Sequence, residues 1–499
     1  MLTLQPGAVT LEQLRAVWSG ANIPLSRDAW AAIDASSAAI GRIVASGRTV
    51  YGVNTGFGLL AQTRIPHDRL AELQRNLILS HSCGLGEALA PPVVRLVIAL
   101  KAVGLGRGMS GISRVAVERL LALLEADALP LIPVQGSVGA SGDLAPLAHL
   151  SAAMLGDGRI KLRGEVMPAA DALARLGMVP LELGPKEGLA LINGTQVSTA
   201  IALDTLFTAE RVFGAALVAG AMSVDAFKGT DAAFDARIHA ARGQPGQIAV
   251  AEKLRELLAG SGIRASHSDC ERVQDPYSFR CQPQVMGAAL DLLRQVAATL
   301  TIEANAVTDN PIIFGEEAVS GGNFHAEPVA FAADIMAMAL CEIASISERR
   351  VAVLVDPKMS GLPPFLIADS GVNSGFMIAQ VSAAALVSEN KSLAWPASVD
   401  TVPTSAGQED HVSMATHAGA KARRIAGNAA GAVGIELLAA AQGIDFHRPL
   451  RTSAPLEQAM ATIRAAVPFY ERDRYMADDI GWAQQAVVEG VFSPGPPLL

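Results

Sequence analysis

Three stretches of this chain, near residues 195–225, 326–354 and 408–441, carry helical periodicity without an internal proline past the first turn. Each is longer than an ordinary globular helix. Such lengths constrain the fold more than any other feature, because they pack as a bundle of long helices rather than as small layered domains. Pro328 stands early in the second stretch, where proline is tolerated. Residues 283–300 add a further helix, with Val285, Ala289, Leu292, Val296 and Leu300 on one stripe. Hydrophobic residues make up 51% of the 499 positions but aromatics only 4%. The cores must therefore be built from Ala, Leu, Val and Ile, with close helix–helix approach. Strand signals are few: Asp157-Gly158 and Arg163-Gly164 flank a short alternating segment that reads as a hairpin. The length allows about three average domains. Gly- and Pro-rich punctuation gathers in the first 200 residues and the longest helices follow. The expected organisation is mainly α: a smaller N-terminal domain, 1–200, and a long-helix bundle, 201–499.

The net charge of -9 is spread along the chain with no basic stripe, which argues against nucleic acid and acidic membrane surfaces as partners. Cys83, Cys270, Cys281 and Cys341 form no CxxC pair, so neither a zinc site nor a disulfide framework is expected, and a reducing cytoplasm fits. The amino terminus, MLTLQPGAVTLEQLRAVW, has no basic segment followed by an apolar run, the pattern of a signal peptide. The apolar runs near 215–224 and 328–341 fall short of the length that crosses a bilayer, so no membrane span is expected.

The segment from Gly136 to Asp143 is dense in small residues just before a helical run. It is not a hydrolase elbow, because glycine follows Ser141 directly and Asp143 comes next. It is not a phosphate loop, since no lysine follows. The cluster Gly104, Gly106, Gly108 and Gly111 lacks the preceding strand of a dinucleotide site. The remaining chemistry is cyclisation of Ala140-Ser141-Gly142. Attack of the Gly142 nitrogen on the Ala140 carbonyl closes a five-membered ring, and loss of the Ser141 hydroxyl leaves an exocyclic double bond, a methylidene-imidazolone. Glycine permits the tight approach, serine supplies the leaving hydroxyl and alanine adds little bulk. The tripeptide alone carries little weight, because Ala45-Ser46-Gly47 repeats it where an ordinary helix end is expected. Asp143 is positioned to cap the helix after the tripeptide.

The surroundings decide. GSVGASGDLAPLAHL (136–150) resembles the signature of the histidine and phenylalanine ammonia-lyase family. So do YGVNTGFG (51–58), INGTQ (192–196), QDPYSFRCQPQ (274–284), TDNP (308–311), GGNF (321–324), LPPFL (362–366), NSGFMIAQ (373–380) and QEDHVSM (408–414), in family order across most of the chain. The resemblance implies an ammonia-lyase/fumarase-like helical fold. It also implies a homotetramer whose active sites each draw on three subunits, and the methylidene-imidazolone as built-in prosthetic group with no metal. By the same resemblance Tyr51 is the base on a closing loop, its pKa lowered by neighbouring positive charge. Asn193 bonds near the electrophile and the substrate amine. Arg280 grips the substrate carboxylate with its planar fork, Gln274 and Tyr277 line the cavity, and Phe324 packs against the ring. The chemistry asks for such an electrophile: a positioned base contributes about 10²–10⁴ in rate, whereas enzymes supply about 10⁶ or more.

Two positions bear on the substrate. Ser80-His81 resembles the histidine-specific branch, where the tyrosine branch has His-Leu and the phenylalanine branch usually Phe-Leu. Glu409 stands where aromatic-specific members carry glutamine. An imidazole has two ring nitrogens, and His81 and Glu409 can satisfy one each. L-histidine, giving trans-urocanate, is the expected substrate. The alternatives are a phenylalanine or tyrosine lyase, an aminomutase, or a helical scaffold without catalysis. The presence of Ser141, Tyr51 and Arg280 argues against the last. Two departures touch substrate breadth: Trp395 stands where the family has histidine, and Gly407 where asparagine is frequent.

Overall fold

The computed structural model describes residues 3–56, 62–267 and 273–495. Helix accounts for 61% and strand for 7%, so the class is mainly α. The long helices are Gln196–Ala226, Gln282–Ala304, Glu327–Val355 and Ala415–Asp445. The last starts later than its periodicity suggests. Met414 sits at a left-handed φ of 59°, which no helix propagates through, and so QEDHVSM is loop.

The chain forms two compact units. One comprises Met1–Asp204, Ala297–Asp334 and Pro396–Ala420; the other comprises Thr205–Val296, Ile335–Trp395 and Lys421–Leu499. The first break falls near residue 200, and two later segments return to the first unit. The three small sheets among the described residues belong to the first unit. The hairpin around Arg163-Gly164 pairs Arg159–Leu162 with Glu165–Pro168, and Ala128–Pro130 adds a third strand on the other edge of Arg159–Leu162. Within this unit the helix Pro91–Gly106 is buried on every side from Val93 onward. It carries proline at its start, where the missing N–H costs nothing. Its buried Arg95 is satisfied by Asp127, Asn22 and three backbone carbonyls. Ala45 ends its helix as expected, with Ser46 as cap and Gly47 at a φ of 70°.

In the second unit, the fully buried Arg350 and Glu436 pair through both carboxylate oxygens, and Ser223 donates to Glu436 Oε1 at 2.7 Å. The bidentate geometry and the extra donor offset the cost of burying both charges. By length and composition alone, Gln282–Ala304, Glu327–Val355 and Ala415–Asp445 are apolar enough to cross a membrane, contrary to the shorter runs read from sequence. Alanine sustains their hydropathy over more residues than the strongly apolar runs suggest. The most apolar windows of Glu327–Val355 and Ala415–Asp445 are 67% and 89% buried inside the protein.

Candidate active site

Three helices of the first unit, Leu70–His81, Leu144–Met154 and Glu187–Ile192, pack on one another pairwise. Leu144–Met154 buries every residue but Leu144 and His149, which are half-buried, so it has no open solvent face and draws the loop before it inward. Their ends converge on one cavity of about 1240 Å³. His81 is the last residue of the first helix, Ala140 and Ser141 stand before the second, and Asn193 caps the end of the third. Tyr51, Phe324 and Glu409 line the same cavity. Five of the positions singled out in the sequence thus meet Ala140 and Ser141 in one place.

The tripeptide is held on every side. Gly142 has a φ of 71°, and a Cβ there would stand 2.1 Å from the Gly194 carbonyl oxygen, so only glycine fits. The Asp143 amide donates to that same carbonyl at 2.8 Å. Asn193 Nδ2 donates to the Ser141 carbonyl at 2.7 Å, while Asn193 Oδ1 is buried without a partner. The Ser141 hydroxyl donates to Glu409 Oε1 at 2.8 Å. Thr404 Oγ1 donates to Glu409 Oε2 at 2.7 Å, and the backbones of Thr404 and Glu409 pair across the turn between them. That turn holds Ser405, Ala406 and Gly407 at positive φ; at 84°, Gly407 occupies a conformation that glycine and asparagine share. The departure from asparagine there leaves the turn intact.

Behind the loop lies a buried polar layer that sequence reasoning missed. Asp143 does not cap the helix that follows it. Its Oδ2 instead accepts from Val197 N, Ser198 N and Ser198 Oγ at 3.0, 2.7 and 2.9 Å, capping Gln196–Ala226. Its Oδ1 takes Thr416 and Ser137 at 2.6 and 3.1 Å. Burial raises the Asp143 carboxyl pKa, and these donors oppose the rise. Lys101 Nζ donates to the Asn193 carbonyl at 2.7 Å; burial drives its pKa down to about 7. Lys186 and Asp309 form a buried pair at 3.1 Å. The signals in sequence were slight: a lysine in a helix that is apolar apart from it and Arg95, and an aspartate inside a motif.

Around the cavity, burial lowers the His81 pKa, against the raising effects of the Leu77 backbone and the Glu409 charge. The loop carrying Tyr51 is tied by Asn54, which accepts from Val50 N at 2.8 Å and donates to Arg48 O at 2.7 Å. Phe57 and Gly58 of the YGVNTGFG segment lie outside the described residues, as does Cys270. Gln274, Tyr277 and Arg280 belong to the second unit and are not among the cavity's lining residues. Tyr277 is 71% exposed. The Arg280 guanidinium lies 4.6 Å from the Tyr277 ring centroid, and its Nε is buried without a hydrogen-bond partner. Trp395, also in the second unit, is 78% exposed. Among the described residues, His325, Glu327 and His411 bring potential metal-ligand atoms within 4.8 Å of one another, and both histidines line the cavity. No metal was expected from sequence, and GGNF and QEDHVSM were the signals closest to this trio.

The model of the aromatic amino acid lyase family matches residues 9–465. The chain belongs to the aromatic amino acid lyase family. Among its lyase relatives, the histidine ammonia-lyase of Burkholderia pseudomallei (strain 668) is 59% identical over 502 aligned positions, covering 100% of this chain and 99% of that one. The crystal structure of histidine ammonia-lyase from Trypanosoma cruzi superposes with a TM-score of 0.91 at 42% identity, covering 99% of this chain and 94% of that one. Tyrosine aminomutase from Streptomyces globisporus superposes at 0.94 with 35% identity, covering 98% of each chain. The aromatic amino acid lyase fold thus accounts for the whole chain.

Proposed function

We propose that this protein eliminates ammonia from L-histidine to give trans-urocanate, using a methylidene-imidazolone formed from Ala140, Ser141 and Gly142. The observation that carries the reading is the cavity in which His81 and Glu409 accompany Ser141. A carboxylate and a neutral-leaning imidazole complement the two nitrogens of a histidine side chain. A benzene ring or a phenol would leave at least one of them unpaired, at a cost of about 1–3 kcal/mol. This separates histidine from the substrates of the phenylalanine and tyrosine enzymes, although the aminomutase shares the fold.

The loop fits the prosthetic group, because the close approach of Gly142 to Gly194 excludes any side chain where the ring would close. Once formed, the group supplies an electrophile that activates the substrate for loss of ammonia. The chain's own groups do the rest. Tyr51 takes the β-proton of the substrate. Asn193 holds the substrate amine through its unpartnered Oδ1. Arg280 takes the carboxylate with its planar fork, and its unsatisfied buried Nε supports that role. Phe324 packs beside the loop, and Gln274 and Tyr277 shape the cavity's edge. By resemblance to the family, the complete site is assembled in a homotetramer from neighbouring subunits. We place the enzyme in the cytoplasm, without nucleic-acid or membrane partners.

Incubation with L-histidine, phenylalanine and tyrosine in turn, followed by ultraviolet absorbance, tests the reading. Urocanate should accumulate from histidine well ahead of cinnamate or coumarate from the other two. Preference for phenylalanine or tyrosine would overturn the substrate.

A further inference from the structure

We propose that Glu409 is the acid and base that dehydrates Ser141, so that the carboxylate proposed to read the substrate also helps build the electrophile. This rests on the reading that Ala140, Ser141 and Gly142 cyclise. Loss of water from Ser141 breaks the Cβ–Oγ and Cα–H bonds and forms a Cα=Cβ double bond. Hydroxide leaves poorly, so Oγ must receive a proton as it departs.

The geometry supplies a group at each end of the reacting atoms. Glu409 Oε1 is 2.8 Å from Ser141 Oγ. The second carboxylate oxygen is held by Thr404 at 2.7 Å, which fixes Oε1 toward the serine. At the other end, Asn193 Nδ2 donates to the Ser141 carbonyl at 2.7 Å and stabilises charge that develops there as the α-proton leaves. The balance closes on these groups. The Glu409 carboxylate takes the Cα proton, and the Cα–H pair becomes the second bond of the alkene. The same proton then passes from the Glu409 carboxyl to Oγ, which departs as water with the C–O electron pair and leaves Glu409 ionised as it began. Neither an oxidant nor a reductant is consumed. Asp143, the nearest carboxyl in sequence, is committed elsewhere: its two oxygens receive five donors, none of them from Ser141. With the hydroxyl gone, Glu409 Oε1 loses its donor and is available to a substrate imidazole.

The test follows intact mass and near-ultraviolet absorbance of freshly folded wild type, Glu409→Gln and Thr404→Val over time. Wild type should become lighter by two waters. Glu409→Gln should retain the Ser141 water, converting roughly 10²–10⁴-fold more slowly, the usual worth of a positioned proton-transfer group. Thr404→Val keeps the carboxylate but frees its second oxygen, and should convert several-fold more slowly than wild type. Loss of both waters from Glu409→Gln at the wild-type rate would overturn the proposal. So would a wild-type rate in Thr404→Val, should Glu409→Gln fail to fold. A wild-type chain that keeps its full encoded mass would overturn the electrophile reading itself, and this proposal with it.

Discussion

His81 and Glu409 are proposed to meet different ends of one substrate ring, and a ratio of specificity constants isolates them from the rest of the site. His81→Leu should lower the histidine-to-phenylalanine ratio by about ten- to a hundredfold, the worth of one buried polar partner. Glu409→Gln should lower the same ratio, and the ratio cancels whatever fraction of chains has matured. Arg280→Lys should depress both substrates together, because lysine lacks the planar fork that a carboxylate common to both would use. An unchanged ratio in both His81→Leu and Glu409→Gln would remove these residues from substrate choice. Most of these side chains were legible from motifs: Tyr51, His81, Ser141, Asn193, Phe324 and Glu409 line one cavity. The role of Asp143 was not. A cap is expected from the next helix in sequence, whereas its partners, Val197 and Ser198, lie more than fifty positions onward.

At the scale of elements, long periodic helices were legible because periodicity is local, and their ends were less so. The helix expected from 408 begins at Ala415, since the backbone at Met414 adopts a conformation that hydrophobic spacing does not encode. The strand Ala128–Pro130 escaped notice because its partner lies thirty positions away and its three residues carry no alternation. Lys101 shows how an element can hide chemistry. Its helix, Pro91–Gly106, is apolar apart from Arg95 and Lys101 itself, and its partner, the Asn193 carbonyl, is 92 positions distant. Burial there has a consequence for stability. The folded state releases the Lys101 proton near pH 7, whereas an unfolded lysine holds it to about 10.4. Between those values the unfolded chain binds the extra proton, so this group makes stability rise with pH, and below pH 7 the gain is absent. Denaturant titrations of wild type and Lys101→Met at several pH values across that window should show a flatter dependence in the variant. Parallel curves would mean that Lys101 is not held deprotonated.

For the whole molecule, the decisive expectation concerns subunits. If sites are shared, Tyr51→Phe and Arg280→Ala chains, each inactive alone, should recover part of the activity when mixed under subunit exchange. Proven exchange without recovery would place both residues in the same chain's site. Sequence resemblance suggested such sharing, but no pattern within one chain encodes which copy a side chain will serve. The bond between Ser141 and Glu409 spans 268 positions. At a synthesis rate of about 5–20 residues per second, the loop therefore waits roughly a quarter-minute to a minute on the ribosome before its partner has been made. Within one chain, the pairing of Ser141 with Glu409 marks a late moment in the birth of the protein, after more than four-fifths of it has been translated.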